Sequence, residues 1–576
     1  MKIIYISIAV GFAQGLMLLL FHEGIQKKWT MMSLPEFSFP AYAIVLLIPI
    51  IGLLCSRLCD SKHLALVLAF CSVMLLMLGL NAGHLAFTPV NDSSFGSIFT
   101  FGSGMLVLMY VGLPFIQSWL KQGNISTQYN DLYEFGWSNT FVFLTAIIFT
   151  AVIWMLLALW SALFMLLDIS FFEDCFYNHY FAYPVSGIMF SYGISLGIQR
   201  ASAVVVQRID YFFRAVTILI SFIVVLFLLA LGLSGLEPLW NTNNATFLLL
   251  WLQLFILLFV NGLFQRGYDG RSENAWVRWS VTLALFSMPA FSMICMYALY
   301  LRIDQYGWTT DRIWAILITA IMMIYAYGYF AAAFRGLIHK GGWLTWIPPT
   351  NKIAAVVTLM IIVIVNSPIF SPSSVAVNSQ VNRLIEGKIK VNTFDYTYLR
   401  LDLGRVGLEK LQELSQLDEH PESLQIQKLA KSELEKTKRW DNKTVKISSV
   451  SGLEERLDVF PAGKKANQAL LEYIYQNSTK WPYQNCFQLG DRCLIVFVDL
   501  NEDKKDEAIL FAGMSSYQNK VLSQRGTKWV PVGRLRGNEP NTLTVRKILT
   551  EEDIQTEPRQ WRNVIIGKHK LFVTPE

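Results

Sequence analysis

Apolar positions run almost without interruption in long stretches as far as Phe370, and thereafter fall into short clusters separated by charge. A helix needs roughly 20 largely apolar residues to cross the hydrocarbon core of a bilayer. It also satisfies its own backbone there, as lipid requires. Eleven such stretches are present, at 3–21, 40–57, 63–81, 98–120, 140–167, 181–197, 212–233, 245–264, 279–301, 314–334 and 353–370. They predict a polytopic α-helical membrane bundle. The stretch at 181–197 differs from the others because it carries Pro184, Ser186, Ser191, Tyr192 and Ser195. A broken or re-entrant helix is the alternative there, and it would reverse the parity of every later span. The first stretch is long and has no small-residue cleavage site after it, so it reads as a retained helix rather than a signal peptide.

Beyond Phe370 the periodicity changes. Residues 404–417, 422–440 and 464–476 read as helices, followed by β-branched and aromatic strands at 493–500, 508–511, 528–533, 542–549 and 564–573. This predicts a soluble α+β domain over 371–576 following a transmembrane domain over 1–370, and it is long enough to bury its own core. Composition marks the same boundary. Of the first 370 residues 32 are charged, against 58 of the remaining 206; soluble domains carry roughly 25%. The net charge of +6 divides as +2 and +4 between the two parts, too little in either to suggest a nucleic-acid partner.

Lys and Arg in short loops favour the cytoplasmic side. Here they gather in alternate loops: Arg57 and Lys62; Lys121; Arg200, Arg208 and Arg214; Arg266, Arg271 and Arg278; Arg335, Lys340 and Lys352. The loops 82–97, 168–180 and 234–244 carry none. With eleven spans, the N-terminus is expected in the cytoplasm and the C-terminal domain outside it. Lys27 and Lys28 run against the pattern, while Arg302 and Arg312 are balanced by Asp304 and Asp311.

Ionisable side chains deep in spans are costly and usually functional; their near-absence here weighs against a pump built on buried carboxylates. The in-span polar residues Gln14, Gln117, Gln253, Asn261 and Asn366 read first as interhelical hydrogen bonds, and alternatively as the lining of a neutral path. Tyr325, Tyr327 and Tyr329 are either interfacial anchors or one wall of a cavity. Two loops, at 266–279 and 302–314, mix charge with aromatics. In the second, Arg302, Asp304, Tyr306, Trp308, Asp311 and Arg312 form a candidate substrate or lipid-headgroup site, against the simpler reading of a charged helical hairpin. Thr310 or Asp311 is placed to cap the helix that follows.

The run Tyr300-Leu-Arg-Ile-Asp-Gln-Tyr-Gly-Trp-Thr-Thr-Asp-Arg-Ile-Trp314, then Tyr325-Ala-Tyr-Gly-Tyr329, and later Tyr398-Leu-Arg-Leu-Asp-Leu-Gly-Arg-Val-Gly407 resemble a bacterial multi-spanning family known as a domain of unknown function, number 4153. The resemblance covers the later spans and the start of the soluble region and is weaker over the first hundred residues. It implies a bacterial inner-membrane setting. It supplies no activity, substrate or catalytic residue.

In the soluble region, Asp499-Leu-Asn-Glu-Asp-Lys-Lys-Asp-Glu507 offers oxygen ligands on alternate residues, a spacing that suits calcium. Asp499, Asn501 and Asp503 would bind, and Asp506 or Glu507 would close the site. The sixth position, normally Gly, is Lys504, and a solvated acidic turn is the competing reading. Cys486 and Cys493 flank a Gly490-Asp491 turn and form an expected disulfide if this region lies outside the cytoplasm. Cys55, Cys59, Cys71, Cys175 and Cys295 read as small hydrophobes. No nucleophile–base pair, phosphate-binding glycine loop or HExxH helix is present, so no catalytic residue is assigned and no cofactor beyond calcium is expected. The leading function class is a non-enzymatic envelope module, with the lipid bilayer and an envelope protein or lipid as partners. A transporter or lipid-handling protein for a neutral or amphipathic substrate comes next, then a membrane enzyme. No pattern specifies an oligomeric state.

Overall fold

A computed structural model describes residues 2–86, 95–124, 127–167, 169–200, 210–235, 245–264, 275–339, 343–436, 450–454, 457–461, 463–478, 483, 486, 493–511, 519–534, 564–566 and 569–571. The chain forms two compact units, Met1–Glu435 and Lys436–Glu576.

In the first unit, eleven helices among the described residues are long and apolar enough to cross a membrane. They are α1 (Lys2–Gln26), α2 (Pro35–Cys55), α3 (Ser61–Leu85), α4 (Phe95–Gln122), α5 (Tyr129–Met165), α6 (His179–Arg200), α7 (Asp210–Ser234), α8 (Ala245–Phe264), α9 (Ala275–Tyr306), α10 (Thr310–Ile338) and α11 (Ile347–Val365). They coincide one for one with the eleven apolar stretches, and the protein is a multi-pass membrane protein. The shortest, α11, has 19 residues, which at about 1.5 Å per residue nearly spans the ~30 Å hydrocarbon core. Helix α5 has 37 residues and begins well before position 140. Its polar first turns, with Asp131 and Tyr133 buried against neighbours, continue the helix beyond the purely apolar stretch.

The doubtful span, α6, is one continuous helix. Its small residues are there because two helices approach its backbone. A Cβ on Gly187 would lie 2.2 Å from the Gly11 carbonyl oxygen of α1, and one on Gly15 would lie 2.5 Å from the Tyr183 oxygen. On another face, a Cβ on Gly193 would meet Ala146 Cα of α5 at 2.7 Å, and one on Gly197 would meet Val142 Cα at 2.9 Å. In lipid, where hydrophobicity does not drive helices together, such small-residue surfaces supply the packing. Ser186 also accepts a 3.0 Å bond from the Trp154 indole of α5. The re-entrant alternative is thereby set aside. Helices α2 and α3 meet in the same way, with Gly79 against Pro40 and Gly83 against the Pro35 carbonyl.

Two apolar cores result. One joins α2, α3, α4, α5 and α6 through Leu47, Leu75, Met105, Ala146 and Ile194. The other joins α7 to α10 through Val224, Ile256, Leu285, Phe291 and Ala326, with Trp343 and Leu344 of the α10–α11 connection and Ile347 of α11 tucked in. Large apolar side chains left outward, such as Leu66 and Phe70 on α3 and Leu156 and Leu159 on α5, form a surface suited to a bilayer.

Four further helices belong to this first unit: α12 (Pro372–Ile385), α13 (Tyr396–Leu401), α14 (Gly404–Leu414) and α15 (Ser423–Leu434). They share a core of Val377, Val381, Leu384, Leu399, Leu411 and Ile426. The boundary between compact units therefore falls after Glu435, beyond the compositional step at Phe370. Charge density records exposure to water, whereas unit membership follows what each amphipathic helix buries. Ser371 caps α12 by accepting from Ser374 N at 3.2 Å, with Pro372 in the first turn.

The second unit holds a five-stranded sheet in the order β1 (Leu457–Phe460), β2 (Cys493–Val498), β3 (Glu507–Phe511), β4 (Asn519–Arg525) and β5 (Lys528–Gly533). β1 and β2 pair in parallel and the rest antiparallel. Helix α16 (Gln468–Gln476) lies in the parallel crossover, and its Leu470 and Ile474 share a core with Ile495, Leu510 and Leu522. Asn467 caps α16 and accepts from the Trp529 indole at 2.9 Å, fixing helix to sheet. β1 and β4 are additions to the sequence reading. The stretch 564–573 is not one strand but an antiparallel pair, β6 (Val564–Ile566) and β7 (His569–Leu571). The expected strand at 542–549 lies outside the described residues.

Replacing Gly187 by Leu should destabilise the bundle by about 1–3 kcal/mol through overpacking. Gly102→Leu, at a position with nothing within 4 Å of a Cβ, should leave stability near that of the wild type. Denaturant titration of both proteins in detergent checks this; equal stabilities would contradict the close contact.

Candidate functional site

The turn between α9 and α10, the charged aromatic loop of the sequence reading, is gripped from two directions. Gly307 allows the reversal with φ +78°. Helix α12 lies across it: Gln380 donates to the Tyr306 carbonyl at 3.0 Å and the Trp308 carbonyl at 2.8 Å, and Ser379 Oγ accepts from Trp308 N at 3.0 Å. Arg383 donates to the carbonyls of Asp304 at 3.1 Å and Gln305 at 2.5 Å. These are the C-terminal carbonyls of α9, which no helix can satisfy internally. Tyr398 of α13 accepts from Thr310 N at 3.1 Å. Burial raises the Tyr398 hydroxyl pKa above the ordinary tyrosine value, so it stays protonated at neutral pH.

Within the turn, Arg312 donates to the Gly307 carbonyl at 2.5 Å and lies over the Tyr306 ring rather than pairing with Asp304. The cap of α10 is Thr309, not Thr310 or Asp311: its side chain accepts from Arg312 N at 3.4 Å. Thr310 is turned to Tyr398 instead. Arg302, Asp304, Tyr306 and Asp311 are exposed, while Trp308 is half-buried.

A second grip lies at α14. Gly404, at φ +62°, brings the chain so close to the end of α3 that a Cβ would sit 2.0 Å from the Leu85 carbonyl oxygen. Arg405 donates to the His84 carbonyl at 3.1 Å and to Glu36 at 2.8 Å, and Glu36 also meets the His84 ring at 2.9 Å. Between the two grips, Arg400 of α13 pairs with Glu433 of α15 at 2.9 Å, both almost fully buried.

Polar residues within the spans turn to one another. Gln14 donates to the Val45 carbonyl of α2 at 3.0 Å. Gln117 and Asn139 exchange side-chain bonds between α4 and α5, and Ser292 of α9 donates to Gln253 of α8 at 2.6 Å. The Asn366 carbonyl accepts from Asn81 of α3 at 3.0 Å. Asn261 Nδ2 donates to the Tyr329 hydroxyl at 2.7 Å, which donates to Asn351 Oδ1 at 2.6 Å. Asn351 Nδ2 returns to Asn261 Oδ1 at 2.7 Å and to the Tyr129 hydroxyl at 2.9 Å. This closed ring ties α5, α8, α10 and α11 together. Of the three neighbouring tyrosines, Tyr329 is fully buried in the ring and Tyr325 stacks edge-on to it, whereas Tyr327, two residues away, faces outward.

In the second unit the acidic residues serve their own turn. Asp499 accepts from the backbone N–H groups of Asn501 and Lys504, Asn501 from that of Asp503, and Asp503 from that of Lys505. Lys504 has φ +64° at the position where glycine is usual. Asp506 pairs with Lys464. Glu507 accepts from Leu500 N at 2.9 Å and Ser523 Oγ at 3.0 Å. Among the described residues no three His, Cys, Asp or Glu side chains converge as a metal site. Cys486 and Cys493 lie at disulfide distance, with Cα atoms 5.3 Å apart.

The family model described as Domain of unknown function (DUF4153) matches residues 41–414. The chain belongs to this family. Nothing among curated proteins or solved structures matches it. The matched region begins within α2, runs through the later spans and ends at the close of α14, so it contains the first grip and all of the second except Glu36. The family-like segments 300–314 and 398–407 are far apart in sequence but meet directly at the Tyr398–Thr310 contact. The sequence reading missed Ser379, Gln380, Arg383, Asn351 and Tyr129. The available signal was a polar face on α12 directly after the last span; nothing local marks Asn351 or Tyr129.

Removing one member of a buried ion pair leaves an uncompensated charge. Arg400→Met alone should therefore cost about 3–5 kcal/mol, and Arg400→Met with Glu433→Leu should regain most of it. Unfolding of the two variants in detergent tests this; equal losses would mean the pair is not coupled.

Proposed function

We propose that the protein is a non-enzymatic module of the bacterial cell envelope. The bundle holds α12–α15 as a fixed helical platform, and Lys436–Glu576 is carried as a binding module for an envelope protein or envelope component outside the cytoplasm. The observation that carries this reading is the commitment of the polar groups just described. In-span amides and hydroxyls bond across helices, and the α9–α10 turn is held by α12 and α13. A bundle tied at both levels supports a scaffold better than a moving path. The alternation of basic loops supports the outward placement, and a disulfide suits an oxidising compartment.

Two measurements test it. A reporter that works only outside the cytoplasm, fused after Glu576, should be active; activity confined to a cytoplasmic reporter would refute the placement. Ser195, Ser292 and Thr319 are buried within their spans. Cysteines replacing them should resist a membrane-impermeant thiol reagent from both sides. Labelling from both sides would show alternating access and replace the scaffold with a transporter.

A further inference from the structure

A groove of about 450 Å³ lies between α9 and α10, lined by Met293, Met296, Tyr300, Ile303, Trp308 and Met323 among others. That is within the range of small-molecule sites. Among the described residues no charged side chain lines it. Its lining comes from two membrane-spanning helices and the turn between them, and Met293, Tyr297 and Tyr300 are more than half exposed. The groove is therefore open sideways to lipid. One end is stopped by Trp308, whose backbone α12 holds on both its N–H and its carbonyl. Three flexible thioethers lie among the remaining tyrosines and isoleucines and let the surface adapt to chains of varied shape.

Positive charge collects at the stopped end. The guanidiniums of Arg312 and Arg383 both donate to backbone carbonyls of this turn, at Gly307 and at Asp304 and Gln305, and Arg302 lies near the end of α9. The three outnumber Asp304 and Asp311 on the same turn. The Arg383 Nε is buried without a hydrogen-bond partner among the described residues. Apolar lining and a cationic rim at one end match the two halves of one molecule class.

We propose that this groove binds one anionic glycerophospholipid of the surrounding leaflet, its acyl chain between α9 and α10 and its phosphate facing Arg302, Arg312 and Arg383. Occupancy would stiffen the α9–α10 turn, so the lipid is a structural ligand of the clasp that α12 and α13 form on that turn. A water-soluble anion lacks the chain that the groove accepts, and a zwitterionic lipid gains less from the rim.

The test uses the full chain in lipid nanodiscs, with phosphatidylglycerol or phosphatidylcholine carrying the same photoreactive acyl chain. Labelling by the anionic lipid should concentrate on Met293, Met296 and Met323 and exceed that by the zwitterionic one. Arg302→Gln should reduce this preference about fivefold, the effect of one basic residue near a charged lipid surface. Ile316→Trp, which fills the groove, should suppress labelling by both lipids. Equal labelling by both headgroups in the wild type overturns the proposal without recourse to a variant. So does labelling spread evenly over lipid-facing positions such as Leu156 and Phe247, or a native mass spectrum showing a second copy of the chain in place of lipid.

Discussion

The fold depends first on how closely the backbone of α6 can be approached. Gly187 against Gly11 and Gly193 against Ala146 leave no room for a side chain. Without these contacts α6 would be a poor span, having serines and a proline where other spans have leucine. With them it is the middle member of α1, α6 and α5, and one of eleven spans among the described residues. Parity then decides which loops share a side, so a steric fact at a few glycines reaches every loop beyond it.

The polar groups in the bundle follow a common rule. An unpaired amide in hydrocarbon costs several kcal/mol, and each amide singled out in the spans has found a carbonyl, amide or hydroxyl. The ring of Asn261, Tyr329 and Asn351 is the fullest case, because each member both donates and accepts within it. Such rings specify one helix arrangement, since any displacement leaves several groups unpaired at once. The same logic governs the clasp, where α12 supplies donors to carbonyls that the end of α9 cannot satisfy itself.

The family match and the clasp describe the same region from two directions. Residues 398–407 look unremarkable as a helical segment: a tyrosine, two arginines and two glycines. In space Tyr398 holds the α9–α10 turn, Arg400 meets Glu433, Gly404 lies on α3 and Arg405 reaches Glu36. Family membership thus extends past the last span because the platform and the bundle are one packed body.

Composition and periodicity alone determined the eleven spans, the change to a soluble pattern after Phe370 and most strands of the sheet, because burial in lipid or in a sheet imposes a local period on the chain. They also marked 302–312 and 499–507 as unusual. Tertiary structure supplied their partners: α12 and α13 hold the first, and side chains of the second accept from backbone N–H groups of its own turn. It also assigned α12–α15 to the membrane unit and gave α6 its reason. These outcomes rest on partners far away in the chain, such as Gly11 for Gly187 or Gln380 for Trp308. A local pattern records whether a residue is buried, but not which residue buries it.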